Sequence, residues 1–139
     1  MDKRVRAIII KDNKVLTIKR TKPEGTFWVF PGGGVEEGET NEKALIRECE
    51  EELGVDIAGG DLFWEMDSTT KRTIGHREYF YLCEIKGGKL GSGDGPEFQK
   101  DSPYIGKYDI EWINVNDLKN IDLRPAEIKK LVEKLLKSK

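Results

Sequence analysis

The segment RECEEELG, from Arg47 to Gly54, places Glu48, Glu51 and Glu52 at the helical spacings i, i+3 and i+4. With about 100° between residues, these carboxylates would form one stripe on a helix. The stripe does not favour stability, because the like-charged i,i+4 pair costs roughly 0.2–0.5 kcal/mol and the C-terminal end of the helix dipole disfavours anions. Hard divalent cations, in contrast, require clustered oxygen ligands. The helix alone leaves two interpretations open, a solvated acidic face and a metal site.

The helix that would carry these glutamates is predicted from about Asn41 to Leu53. Thr40 is suited to cap its N-terminus, and Gly54 to end it. Glu52 borders the apolar stripe and is therefore expected to be partly buried. Lys43 and Glu50 are expected to face solvent. The residues predicted to face the core are Leu45, Ile46, Cys49 and Leu53.

The spacing of residues upstream favours the metal site. Gly33 is followed after five residues by Glu39, and after seven more by Arg47-Glu48-Cys49-Glu50-Glu51-Glu52-Leu53-Gly54-Val55. This pattern resembles the box of the Nudix hydrolases, G-x5-E-x7-R-E-U-x-E-E-x-G-U, where U is a large aliphatic residue. Every fixed Gly, Glu and Arg is present. Cys49 stands at one U position, where a small buried hydrophobe should affect packing rather than chemistry. The segment FWVFPGGGVEEGE before the box, and EWINVNDL late in the chain, also resemble the sequences that usually accompany the box in this family.

The resemblance implies a single Nudix domain over residues 1–139, with its box at 33–55. Its fold would be the α/β/α sandwich, a mixed β-sheet flanked by helices. Its activity would be metal-dependent hydrolysis of a pyrophosphate bond in a nucleoside diphosphate linked to another group, by metal-activated water. The implied cofactor is Mg²⁺ or Mn²⁺, which would neutralise phosphate charge and lower the pKa of bound water.

The resemblance also assigns roles in the box. Glu51 and Glu52 would be metal ligands, Glu48 a ligand or the general base, and the backbone carbonyl of Gly32 a further ligand. Arg47 and Glu39 would orient the loop and the carboxylates through charge-assisted hydrogen bonds. A further acid from a later loop would complete the site. In the segment GDGPEF we expect Glu97, with Asp94 as the alternative.

Substrate contacts are expected from glycines and from cations outside the helix. Gly33 and Gly34 let the backbone approach metal and substrate without an intervening Cβ. For the phosphates we expect Arg20, at the end of the second strand, and Arg77, with Arg6 behind them. The aromatic residues that would stack on a base are Phe27, Tyr79 and Tyr81.

The elements that must position these residues are visible as β-branched runs. RVRAIII and KVLTIK, joined by KDN, predict a hairpin. DLFWEM, HREYFYLCEI and IEWINV predict further strands, and the segments from Thr21 to Glu39 and from Lys86 to Asp109 are expected to be loops. LRPAEIKKLVEKLLKSK predicts a terminal helix that covers the sheet.

Composition restricts the partners. The 139 residues carry 24 basic and 26 acidic side chains, a net charge of −2, which argues against nucleic acid or an anionic membrane as a partner. No run approaches transmembrane length. Cys49 and Cys83 lack metal-ligand spacing and are predicted to be reduced, buried thiols of a cytoplasmic protein. The sequence leaves open whether the protein forms a homodimer.

The substrate is expected to be a (d)NTP or a related nucleotide. ADP-ribose pyrophosphatases of this family tend to have a proline downstream of the box, and none occurs here between Val55 and Gly95. The alternatives are an ADP-ribose, nucleotide-sugar or dinucleoside polyphosphate hydrolase, a non-catalytic nucleotide sensor, and an RNA 5′-end pyrophosphohydrolase.

Overall fold

The computed structural model describes residues 2–58, 60–69, 73–93 and 106–137. The described residues form nine strands, two α-helices and one 3-10 segment. The strands are β1 (Lys3–Lys11), β2 (Lys14–Lys22), β3 (Gly25–Val29), β4 (Gly32–Gly34), β5 (Val55–Ala58), β6 (Leu62–Asp67), β7 (Arg77–Gly88), β8 (Lys107–Asn114) and β9 (Leu123–Arg124). The helices are α1 (Asn41–Leu53) and α2 (Ala126–Lys137), and the 3-10 segment is Val115–Asn120.

The sheet is mixed and follows the order β5-β7-β1-β2-β3-β9, with β4 paired to β1, β6 to β7 and β8 to β2. β1 runs parallel to β7, and β3 runs parallel to β9. The predicted hairpin joins β1 and β2, with Asp12 and Asn13 both at positive φ. Short polar residues tolerate this left-handed conformation, which a two-residue hairpin turn needs.

The sheet separates two cores, each covered by one helix. Strand alternation sends Val5, Ala7 and Ile9 of β1 toward α1, while Ile8 packs on the opposite face with α2. On the α1 face the helix buries its apolar stripe, and on the other face α2 buries Ile128 and Val132. The predicted α/β/α sandwich, with a mixed sheet flanked by helices, is therefore confirmed.

Several elements differ from the sequence prediction. β3 and β4 lie in the segment predicted to be a loop, and β5 follows α1 directly. β4 is three consecutive glycines, which have no strand propensity of their own. It forms because its backbone pairs with Arg4, Val5 and Arg6 of β1. Neither described helix has the length and apolar character needed to cross a bilayer.

Candidate active site

Helix α1 begins and ends as the sequence predicts. The Thr40 side chain accepts a hydrogen bond from the Lys43 N–H at 3.1 Å. Gly54 adopts the left-handed conformation, with φ 77°, and its N–H donates to the Glu50 carbonyl. These caps fix the register of the helix, and Glu48, Glu51 and Glu52 are all partly buried along it.

Arg47 is the centre of the hydrogen bonds in this region. Its Nε and Nη2 donate to the two oxygens of Glu39 at 2.8 and 2.9 Å, a bidentate pair. Nη2 also donates to the Gly34 carbonyl at 3.1 Å. Nη1 donates to Glu48 at 3.1 Å and to Glu51 at 3.2 Å. One guanidinium therefore links the glycine strand β4, the loop before α1 and two glutamates of the stripe.

These contacts shift the pKa values of both partners. The hydrogen bonds with Glu39 are the main cause that raises the pKa of Arg47. The same hydrogen bonds, helped by the Glu36 N–H, lower the pKa of Glu39 from its ordinary 4.5 to about 2. Both groups therefore stay charged at neutral pH.

A pH dependence of stability follows from the lowered pKa of Glu39. A carboxylate whose folded-state pKa lies below its unfolded-state value stabilises the fold above about pH 4.5, and that contribution is lost as the pH falls toward 2. We expect Glu39→Gln to be less stable than the wild type at pH 7, with a difference that shrinks at pH 3. Urea denaturation of both proteins at the two pH values measures it. A gap of equal size at both values would contradict the prediction.

The glycine strand touches the glutamates directly. The Gly32 N–H donates to Glu52 Oε1 at 2.9 Å. A Cβ placed on Gly33 would lie 2.5–2.7 Å from the carboxylate atoms of Glu48. A side chain at position 33 would therefore occupy the space that the Glu48 carboxylate uses. The Cβ of any residue at position 32 would meet the Val5 carbonyl, so Gly32 is required where β4 lies against β1.

The carboxylates do not converge on a single point. Within the described ranges, no group of three or more His, Cys, Asp or Glu side chains is arranged to hold a metal ion. Arg47 holds Glu48 and Glu51, while the Gly32 N–H holds Glu52. The donor set still fits Mg²⁺ or Mn²⁺, because all its groups are hard oxygens and the missing Cβ of Gly33 leaves room for a carboxylate against the backbone. The ligand roles of these glutamates stay a prediction.

A second cluster lies on the same face of the sheet as α1. Arg20, which is 9% exposed, lies opposite Phe27 of β3 and Tyr108 of β8 in the strand register. Its guanidinium carbon is 4.0 Å from the centre of the Tyr108 ring and 5.6 Å from that of Phe27. The guanidinium carbon of Arg124, in β9, lies 4.1 Å from the centre of the Phe27 ring, and the Lys22 Nζ atom lies 5.7 Å from the same centre. We call these five residues the cation–aromatic cluster.

Other predicted substrate contacts have different surroundings. Arg77 forms ion pairs with Asp67 at 3.0 Å and Glu65 at 3.3 Å, so phosphate binding would have to compete with two carboxylates. Arg6 lies on the face of the sheet opposite α1, away from the glutamate stripe, because it alternates with Val5 and Ala7. The hydroxyl of Tyr81 accepts a hydrogen bond from Asn41 on α1.

The further acid predicted from a later loop, Glu97, falls outside the described residues, and so does its alternative, Asp94, because both lie in 94–105. The sequence also gave no reason to select Tyr108 and Arg124. Tyr108 lies beside Arg20 because β8 pairs with β2, and Arg124 reaches the Phe27 ring because β9 pairs with β3. Single-strand patterns carry no signal for such long-range neighbours.

The chain matches the NUDIX domain family over residues 1–135. It therefore belongs to that family. MutT from Aliivibrio salmonicida and Vibrio cholerae has a similar solved structure, with a TM-score of 0.69, 26% identity and 95% of each chain covered.

Two further relatives are named for different activities. A protein named nucleoside triphosphatase NudI, from an Enterobacter species, is 30% identical over 126 residues, which are 86% of each chain. A protein named ADP-ribose pyrophosphatase, from Methanocaldococcus jannaschii, is 39% identical over 92 residues, which are 65% of this chain and 54% of the relative. The chain therefore spans about half the length, or less, of these curated relatives: 54% of the ADP-ribose pyrophosphatase, and 33% and 44% of two others.

Proposed function

We propose that this chain hydrolyses a pyrophosphate bond of a (d)NTP or a related nucleotide, with Mg²⁺ or Mn²⁺ as cofactor. One observation carries the proposal: glycine strand β4 lies directly against the glutamate stripe of α1, through the Gly32–Glu52 hydrogen bond and the Gly33–Glu48 contact. A pyrophosphate is anionic and would be repelled by bare carboxylates, so this stripe suits a substrate bound together with a cation.

The residues that would hold the cation are Glu48, Glu51, Glu52 and the Gly32 carbonyl, with Glu97 as the proposed additional ligand. When bound, the metal supplies charge neutralisation at the phosphate and a lowered pKa for the attacking water. Arg47 donates hydrogen bonds to two of the carboxylates and to the Gly34 carbonyl, and these bonds fix the positions of the three groups relative to one another. As the water oxygen bonds to phosphorus, the bridging P–O bond breaks and the leaving phosphate takes its electron pair. Glu48 is the proposed acceptor of the water proton; its alternative role is that of a further metal ligand.

The cation–aromatic cluster is the proposed nucleotide subsite. Arg20, Lys22 and Arg124 bring positive charge to a surface that contains two aromatic rings, Phe27 and Tyr108. Planar bases stack on aromatic rings and on guanidinium planes, and arginine forms bidentate hydrogen bonds with phosphate. The cluster lies on the α1 face, so a nucleotide bound there would approach the glutamates from the sheet side. Gly33 and Gly34 would then line its phosphates.

A hydrolysis panel tests the proposed function. Purified protein with Mg²⁺ or Mn²⁺ would be incubated with standard and oxidised (d)NTPs, ADP-ribose, nucleotide sugars, dinucleoside polyphosphates and 5′-triphosphorylated RNA. We expect metal-dependent release of phosphate or pyrophosphate with the highest kcat/KM for one of the (d)NTPs. A preference for ADP-ribose, the substrate named for the archaeal relative, would retain the chemistry and overturn the substrate. Nucleotide binding without turnover would instead support a sensor.

A further inference from the structure

A buried ion pair lies behind the glycine strand, on the face of the sheet opposite α1. Arg6 of β1 and Glu78 of β7 meet through Nε and Oε1 at 3.3 Å. Both are largely buried, with side-chain exposures of 17% and 8%. This face carries apolar residues that include Phe30, Phe80 and Met66, and also a second arginine, Arg4, which lies opposite Glu78 in the register of β1 and β7.

Stability alone does not explain the pair. Removing two charges from water costs several kcal/mol per ion by typical estimates, and hydrophobic residues of similar volume would fill the same space without that cost. The pair also differs from a simple two-residue bridge, because Arg6 Nη1 donates to the backbone carbonyl of Phe30 at 3.2 Å. Glu78 fixes one end of the guanidinium, and the other end holds the main chain.

The Phe30 carbonyl is an unusual anchoring point. Residue 31 is proline, so the peptide between Phe30 and Pro31 has no N–H, and the carbonyl is its sole hydrogen-bonding group. On either side of this peptide the chain is held separately. The Phe30 ring packs edge-on against Phe80, with ring centres 5.9 Å apart, and the Pro31 carbonyl accepts from the Ala7 N–H at 2.8 Å.

The next residue carries the functional contact. Gly32 follows Pro31, and its N–H donates to Glu52 Oε1. The orientation of the Glu52 carboxylate therefore depends on the orientation of the Gly32 peptide, which depends in turn on how Phe30 and Pro31 are held. Two hydrogen bonds lead from Glu78 through Arg6 to the Phe30 carbonyl. The main chain through Pro31 then leads to Gly32, whose N–H holds Glu52.

We propose that Arg6 and Glu78 are positioning residues of the active site: the buried ion pair holds the Phe30 carbonyl so that the Gly32 N–H aims the Glu52 carboxylate toward the metal. The inference rests on the proposed function, since it takes Glu52 as a metal ligand. The ion pair would thus influence the glutamate stripe although it lies on the opposite face of the sheet.

The double variant Arg6→Met/Glu78→Met separates positioning from stability. It removes both charges together and keeps similar volumes, but it leaves the Phe30 carbonyl without its Arg6 donor, so we expect a moderate fall in melting temperature and a folded protein. We expect Mn²⁺ affinity, measured without nucleotide by the EPR signal of free Mn²⁺, to fall by about 10–100-fold, the range found when partners of metal ligands are removed. In turnover, kcat should fall at fixed Mn²⁺ while KM for the nucleotide changes little.

Two further variants complete the test. Val132→Ala lowers stability within the same core but leaves the Arg6 and Glu78 side chains in place, and it should keep wild-type Mn²⁺ affinity. Arg6→Lys keeps the charge but lacks the rigid guanidinium fork, which reaches Glu78 and the Phe30 carbonyl from two different nitrogens. Its Mn²⁺ affinity should therefore also fall, and this variant tests the proposal if the double variant does not fold.

The outcomes are distinguishable. Wild-type Mn²⁺ affinity in either the folded double variant or Arg6→Lys would overturn the positioning role alone. A wild-type protein that binds no Mn²⁺ would overturn the proposed function itself.

Discussion

Glu52→Gln is expected to keep the fold and remove nearly all turnover. The side-chain oxygen that accepts the Gly32 N–H at 2.9 Å is retained in the amide, so the contact between β4 and α1 should survive. The negative charge is lost, and with it the strongest attraction of this position for a divalent cation. Because metal activation is worth several kcal/mol, kcat/KM should fall by about 10²–10³-fold. Steady-state kinetics at saturating Mg²⁺, with a melting curve for each protein, measures both effects.

Glu50→Gln is the matched control. Glu50 lies on the same helix, carries the same charge and is exposed to solvent. Its replacement makes the same change in net charge without touching the glycine strand, so kcat/KM should stay within about twofold, because interactions of exposed charges are weak and screened. Equal losses in both variants would point to helix charge as a whole, and unchanged activity in Glu52→Gln would remove Glu52 from the site.

Gly33→Ala should damage the chemistry more than the fold. The new methyl would lie 2.5–2.7 Å from the Glu48 carboxylate, which must move away. The displaced atoms are the end of a flexible side chain, and Gly33 does not have the positive φ that would add backbone strain. We expect kcat to fall by about 10–100-fold, as for other disturbed metal-site geometries. The melting temperature should change far less than in Gly32→Ala, where the methyl meets the rigid Val5 backbone.

Gly87→Ala provides the comparison for the glycine itself. Gly87 lies in β7, also lacks a positive φ, and its added methyl would make an ordinary contact of 3.4 Å with Asp56. It should keep wild-type kcat. If Gly33→Ala also keeps wild-type kcat, the position of the Glu48 carboxylate over Gly33 has no part in turnover.

The sequence predicted the parts of the molecule that are determined locally. The helix from Asn41 to Leu53 follows from its caps and from an apolar stripe at helical spacing, and both caps have the expected geometry. The hairpin of β1 and β2 follows from two β-branched runs around Asp12 and Asn13. The partial burial expected for Glu52 is also present, because helical periodicity alone places it beside the core.

What the sequence did not predict is determined by distant neighbours. Three glycines form a strand because β1 offers them backbone partners, and no local propensity encodes that pairing. Arg6 and Arg20 are similar as isolated residues, but strand alternation sends one to each face of the sheet. Arg20 therefore meets Tyr108, while Arg6 meets Glu78. The resemblance implied that Arg47 and Glu39 orient the loop and the carboxylates, and the structure adds which carboxylates Arg47 contacts, namely Glu48 and Glu51.

Cys49, which occupies an aliphatic position of the box, allows the separation of helix α1 from the sheet to be measured. Cys49 of α1 and Cys83 of β7 are both free and buried in the core between that helix and the sheet. Burial raises the pKa of the Cys49 thiol, and it raises that of Cys83 to about 11. Because the thiolate is the reactive species, alkylating reagents should modify these residues when the helix separates from the sheet. The alkylation rate would then measure how often helix α1, which carries the glutamates, separates from the sheet. No label would have to be introduced.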